Sequence, residues 1–511
     1  MKYTHKFMLI IFIYFSLFVE NGFAEKQSLA NSSLQLNLVD ELKKGNLLIG
    51  LRQYLGSKNG KKSIRNSLLF ESHDTFLNLT ASNGINYKSK NFTIIWKQLP
   101  RIKPLVIERQ VLGPFASFES AKKQLKILKL AGLNPIIVNP DNWELWLPKE
   151  VELAKQYKFK PQKIIYKSEV VPYLTNEYTY QKLSGIISIS SGENITINDV
   201  LYGKLFYLVK DSYGTWSLIQ KLTFDKYLEG VLPHEIGANS PIEALKAQAI
   251  IARTWALYNA DRFKNDKFHL CITTQCQVYK PTFKVNKNIK KAIKGTTGFI
   301  LTFNKKPINA FYHGSNGGIM ASSGESWQMS DYPYFQSRFD LINSKTNRNS
   351  LPFTKELQIE NFISDKKRDF LGDNHYLFRW EKRISAEKIN DLLVNNKFSN
   401  KERKINSIKV LERGMSGRVT KLAISFQKES QPVVLIKDNI RKYLKFLPSN
   451  LFIIDKLNDN FWLFKGGGFG HGVGLSQSGA IEMATLGFNF KDILSHYYSK
   501  TEIKNIKALS E

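Results

Sequence analysis

The chain has 511 residues, 42% of them apolar and 13% aromatic, which excludes wholesale disorder and a collagen-like or low-complexity chain. At roughly 150 residues per domain it holds material for about three units. Its 74 Lys+Arg stand against 44 Asp+Glu, a formal charge of +30 that points to an anionic counterpart such as nucleic acid, anionic lipid or an acidic polymer. Only 15 of these cations are Arg, the residue that reads phosphate and guanine bidentately, so the surplus argues against specific nucleic-acid recognition.

Lys2 and Lys6, an apolar stretch of 13 residues from Phe7 to Val19, and the small-x-small run Gly22-Phe23-Ala24 have the layout of a secretory signal peptide cut after Ala24. The stretch is shorter than the ~20 apolar residues a membrane span needs. The expectation is a secreted or periplasmic protein with no transmembrane span after cleavage and no nucleic-acid partner.

After residues 1–24, an N-terminal region over 25–150 is polar, with short apolar runs that read as strands. Within it, Leu105 to Leu112 reads as a strand and Gly113-Pro114 as a turn. Phe118, Ala121, Leu125, Leu128 and Ala131 have helical spacing, Gly132 stops the helix, and Pro135–Val138 and Trp143–Leu147 read as strands. The string Leu112-Gly113-Pro114-Phe115-Ala116-Ser117…Ala121…Gly132-Leu133 resembles the SPOR peptidoglycan-binding repeat over 105–148; an ordinary strand–helix–strand packing unit is the alternative. Residues 180–335 and 460–505 carry the chemically suggestive motifs. They read as two parts of one core, separated by a variable, charged insertion over 336–459.

Ser240-Pro241-Ile242-Glu243 reads as a capping box with Pro at the first helical position. Behind it Ile242, Leu245, Ala249, Ala252 and Ala256 make one apolar helix face, with Gln248 and Arg253 on the polar side. Just upstream, Glu235 sits among Leu232, Pro233 and Ile236. Apolar surroundings raise a carboxyl pKa, which suits a general acid; a solvated loop glutamate is the alternative. Cys271 and Cys276 are the only cysteines. In an oxidising compartment they form a disulfide; alternatively they supply half a zinc site, with His269 as third ligand and His234 or His313 from elsewhere.

Four ordered strings resemble the SpoIID/LytB family, which includes stage II sporulation protein D and the amidase enhancers. They are Tyr227-Leu228-Glu229-Gly230-Val231-Leu232-Pro233-His234-Glu235-Ile236 with the helix after it; Cys271 to Tyr279; Ala310-Phe311-Tyr312-His313-Gly314-Ser315-Asn316-Gly317-Gly318 with Trp327; and Gly468 to Ala480 with His496-Tyr497-Tyr498. The resemblance implies an α+β fold: a SpoIID-like core of mixed β structure, a capped helix after the catalytic loop, a central insertion and an N-terminal module. It implies peptidoglycan glycan strands as substrate and a lytic transglycosylase working through Glu235 alone. A non-catalytic cell-wall-binding enhancer of a separate amidase is the alternative. Tyr312, His313, Ser315, Gly317, Gly318, His471, Ser476 and Gln477, with Gln248 and Arg253, are the implied substrate contacts. Some members of the family hold structural zinc with two Cys and two His, one His directly before the second Cys. Here that place is Gln275, so no cofactor is expected, and zinc or disulfide stays open at Cys271, Cys276 and His269.

Overall fold

The computed structural model describes residues 36–56, 67–152, 157–281, 285–341, 351–365, 369–428 and 431–509. Residues 1–24, where the sequence predicts a signal peptide, lie outside the described residues. Among them, no helix is long and apolar enough to cross a membrane.

The fold is α+β, as expected, and its centre is a seven-stranded sheet. In spatial order its strands are Leu270–Cys271, Asn46–Leu55, Trp216–Thr223, Leu205–Lys210, Ile187–Ser191, Leu77–Ala81 and Asn86–Ser89. All neighbours are antiparallel except Asn46–Leu55 with Leu270–Cys271. Leu47, Leu48 and Ile49 are all inaccessible to solvent, so this strand is covered on both faces. On one side Leu47 and Ile49 join the main core with Tyr227, Leu228 and Leu245. On the other Leu48 meets Phe118, Ala121, Trp143, Phe263 and Phe268. The N-terminal region is therefore not an appended module: its first long strand lies inside the central sheet. The reason is long-range pairing, since Asn46–Leu55 finds its partners about 170 and 220 residues further along the chain.

The unit over 105–148 forms the expected elements. A long strand Asn91–Phe115 is followed by the helix Phe118–Leu130, which Ser117 caps, and then by Ile136–Val138 and Trp143–Pro148. Gly113-Pro114 falls within the long strand at a register shift rather than at a turn. This helix also reaches the central lobe, because the Ser117 and Ser120 hydroxyls both donate to Asp438 Oδ2, at 2.6 and 2.8 Å.

In the central helix Ile242–Tyr258 every residue from Ala244 to Ala256 except Lys246 is buried, so burial is not confined to one face. Its alanines let the strand Phe299–Phe303, the helix Lys287–Gly295 and the helix Gln477–Thr485 approach it closely. The expected capping box is not formed. Ser240 Oγ instead donates to the carbonyl of Ile236 at 2.7 Å, Pro241 precedes the first helical residue, and Glu243 pairs with Lys246 at 2.6 Å while accepting Phe490 N–H at 2.9 Å. A preceding helical turn leaves its own free carbonyls beside Ser240, and they take the hydroxyl.

The central lobe has two three-stranded sheets, Arg379–Ser385 with Phe461–Gly467 and Phe452–Lys456, and Ile405–Arg413 with Val419–Phe426 and Val433–Ile436. Its own apolar cluster includes Trp380, Ile389, Leu422, Phe452 and Phe464. Phe461–Gly467 thus belongs to the lobe, and the second core segment begins in effect at Gly468. The two core segments are then joined by parallel pairing of Tyr312–His313 with Leu475–Ser476.

Candidate active site

Thr223 caps the helix Phe224–Leu232, whose face of Phe224, Tyr227, Leu228 and Val231 drives it into the core. The chain then runs into a π-helical turn, Pro233–Gly237, ended by Gly237 at φ +94°. Such wide turns re-aim side chains and are frequent at functional sites. Here the turn presents Glu235, half-buried, beside the loop that follows Cys276.

Three donors meet the Glu235 carboxyl. Val278 N–H donates to Oε1 at 2.6 Å, and the Tyr312 hydroxyl and the Gln477 carboxamide supply the others. Burial raises its pKa above the ordinary 4.5 and outweighs the three hydrogen bonds, which pull it down. The groups acting on this carboxyl are a backbone amide, a phenol and a carboxamide; none is an acid.

Behind Tyr312 lies a directed chain. Gln277 Nε2 donates to the Tyr312 oxygen at 3.1 Å, and Gln277 Oε1 accepts from the Tyr227 hydroxyl at 3.2 Å. Since the Tyr312 oxygen already accepts, its single proton is left for Glu235. Tyr227 is fully buried and stacks on Tyr279, ring centroids 5.6 Å apart. Gln277 and Tyr227 lie within the recognised strings, which by themselves give neither a role. The only local signal was a polar residue between the loop-closing Cys276 and the apolar pair Val278-Tyr279. Tyr312→Phe removes a bond that favours the ionised carboxylate, so Glu235 should titrate higher. The alkaline limb of the pH–rate profile should move up, with kcat reduced about tenfold; an unmoved limb would remove Tyr312 from this role.

The remaining expected site residues fall into two groups. Gln477 touches Glu235, and Gln248 lies behind it, with Gln477 Nε2 3.4 Å from Gln248 Oε1. Arg253 does not join them. It is 2% exposed and donates to the carbonyls of Thr296 and Phe299 and to Asp225, tying the end of the helix Lys287–Gly295 to the central helix. His313, Ser315, Gly317, Gly318 and Ser476 are buried, forming the wall behind the carboxyl instead of an open binding face. His313 Nδ1 lies 3.1 Å from the Val473 carbonyl, and Ser476 caps the helix Gln477–Thr485. The half-buried His471 packs on Trp327, centroids 4.7 Å apart; burial first, then Arg441 and Arg418, lower its pKa to about 3, so it stays neutral. Gly317 is glycine for close approach: at φ +70° an added Cβ would lie 2.6 Å from the Gly467 carbonyl carbon.

Cys271 and Cys276 are joined as a disulfide. Both ring nitrogens of His269 are engaged by backbone, Nδ1 accepting from Leu48 N–H at 2.9 Å and Nε2 lying 3.0 Å from the Leu38 carbonyl. Among the described residues no cluster of three or more His, Cys, Asp or Glu could hold a metal. The residues at this place therefore do not fit zinc.

Four other acids of the matched strings and their flanks are occupied elsewhere. Glu229 pairs with Lys226 at 2.9 Å, Glu243 with Lys246, and Glu482 accepts Gly372 N–H. Glu325 accepts from the Ser416 N–H at 3.0 Å and from the hydroxyls of Ser416 and Ser337. The site is thus a single raised-pKa carboxyl on an α+β scaffold.

Residues 212–303 match the stage II sporulation protein domain (SpoIID), and residues 321–474 match a domain of unknown function (DUF8618). The chain is 26% identical over 374 residues to an uncharacterized protein of Brachyspira hyodysenteriae, covering 70% of this chain and 89% of that one. It is 28% identical over 297 residues to the amidase enhancer of Bacillus subtilis, 54% of this chain and 40% of that protein. It is 27% identical over 305 residues to stage II sporulation protein D of Bacillus amyloliquefaciens, 56% and 75% of the two chains. On these matches and its motifs, the chain is similar to the SpoIID/LytB family, whose domain residues 212–303 match.

Proposed function

We propose that the protein acts on the cell wall outside the cytoplasm, as a lytic transglycosylase that cleaves peptidoglycan glycan strands through Glu235. The observation that carries this reading is the environment of that carboxyl: raised by burial, held by three donors, and without an acid among the groups that act on it. A glycoside hydrolase ordinarily needs two carboxylates, about 5 to 9 Å apart, to manage a water or a covalent intermediate. One carboxyl suffices if the nucleophile is the substrate's own hydroxyl. Protonated Glu235 gives its proton to the glycosidic oxygen as the bond to C1 of N-acetylmuramic acid breaks. The resulting carboxylate takes the proton of the C6 hydroxyl as that oxygen bonds C1, leaving a 1,6-anhydro end and restoring the acid. Tyr312 and Gln477 hold the carboxyl through both halves.

The similarity to an amidase enhancer supports a second reading, glycan binding that stimulates a separate amidase. Mass spectrometry of purified peptidoglycan incubated with residues 25–511 separates the two. The expected products are anhydro-muropeptides with no new reducing ends. New reducing ends would indicate hydrolysis, and no product combined with acceleration of an added amidase would favour the enhancer.

A further inference from the structure

Beside Glu235 the segment Tyr312 to Ser315 alternates half-exposed, buried, half-exposed, buried. Tyr312, which reaches Glu235, therefore shares its open face with Gly314, while His313 and Ser315 point into the wall. Gly314 has no side chain to show there. The ring of Phe469 takes the space instead: a Cβ on Gly314 would lie 2.9 Å from Phe469 Cδ1. Phe469 is held in place by two backbone bonds to Ser315, of 2.7 and 3.1 Å, yet stays 42% exposed. His375 of the lobe lies next to it, ring centroids 6.3 Å apart and planes within 16°. Tyr376, 78% exposed, follows His375 at 4.7 Å. Three rings thus form a shelf that starts roughly 7 Å along the chain from Tyr312 and crosses from the core onto the lobe.

We propose that this shelf is a sugar-binding subsite for the glycan strand that runs through the Glu235 site. The inference rests on the reading of Glu235 as glycan-directed. Exposed contiguous aromatic surface marks binding sites, and ligand sites combine such surface with a few placed polar groups, here the carboxyl, Tyr312 and Gln477. The negative faces of aromatic rings attract the polarised C–H groups on the flat side of a pyranose. The shelf continues the half-exposed face of Tyr312, whose hydroxyl bonds the Glu235 carboxyl, so the ligand it fits is the next sugar of the same chain. The matched region 321–474, which contains all three rings, then takes part in binding instead of only decorating the core.

The test measures binding of peptide-free glycan strands by calorimetry in the Glu235→Gln protein, where turnover does not interfere. Adding Phe469→Ala or Tyr376→Ala should weaken binding about tenfold each, while Phe469→Tyr should bind as the parent does. Tyr376 is too exposed for its loss to unfold the chain. Unchanged binding in both alanine variants overturns the subsite, even if the wild type cleaves peptidoglycan. If the wild type cleaves nothing while the alanine variants lose binding, the transglycosylase reading fails and the subsite stands.

Discussion

Glu235→Gln is expected to reduce release of anhydro-muropeptides by roughly 10²- to 10⁴-fold, the range for loss of a general acid, while glycan strands still bind. The substitution keeps an oxygen to accept from Val278 N–H, so the wide turn keeps its anchor. Two further readouts follow from the raised pKa. In the proposed mechanism activity needs the protonated acid, so it should fall as pH rises through the Glu235 pKa, above the ordinary 4.5. Stability follows the same group. A carboxyl whose folded pKa is raised contributes fully below its unfolded value, and that contribution is lost as pH rises through the folded value. The Gln variant has no charge to bury, so its melting temperature should match the wild type near pH 4 and exceed it at pH 7. A variant that retains activity would assign the chemistry to another residue; equal melting at both pH values would show that Glu235 is not desolvated.

Glu119→Ala is expected to destabilise the protein by about 3 to 5 kcal/mol, the cost of leaving a buried charge without its partner. Glu119, on the helix Phe118–Leu130, pairs with Arg262 at 2.6 Å, and the two side chains are 9% and 3% exposed. Arg262 also donates to the Gln275 carbonyl and to Asn259, both at 3.0 Å, and its guanidinium lies 4.3 Å from the centre of the Phe118 ring. One guanidinium thus joins the N-terminal unit, the end of the central helix and the disulfide loop that carries Val278. The double variant Glu119→Leu, Arg262→Met should recover most of the loss in urea unfolding, because it removes both charges and keeps the volume. A single variant within 1 kcal/mol of wild type would mean that the N-terminal unit and the core are not welded through this pair.

Glu235 was legible because the motif around it is unbroken, with Pro233 and Ile236 in the same turn and Leu232 just before it. Tyr312 and Gln477 were legible as motif residues but not as partners of Glu235. What makes them partners is the pairing of Tyr312–His313 with Leu475–Ser476, across some 160 residues. Arg253 shows the opposite failure. On a helical wheel it is polar and therefore outward, but a helix covered from several sides has no outward face, and the guanidinium finds carbonyls instead of solvent. Gln277 was passed over because a glutamine in a loop carries no local mark of the two tyrosines it will join.

Helices depend largely on contacts within a few residues, so spacing was enough to place most of them, whereas Glu235 was marked by its place in a motif and meets donors from Val278, Tyr312 and Gln477 far along the chain. The partners of each strand, the wall of buried histidines and glycines, and the ring shelf beside the carboxyl depend on contacts between segments far apart in the chain. Those contacts are chosen by burial and backbone pairing when the segments meet. No window of sequence contains both sides, and for that reason the SpoIID/LytB likeness could be read from motifs while the insertion's place beside the acid had to be seen in the folded chain.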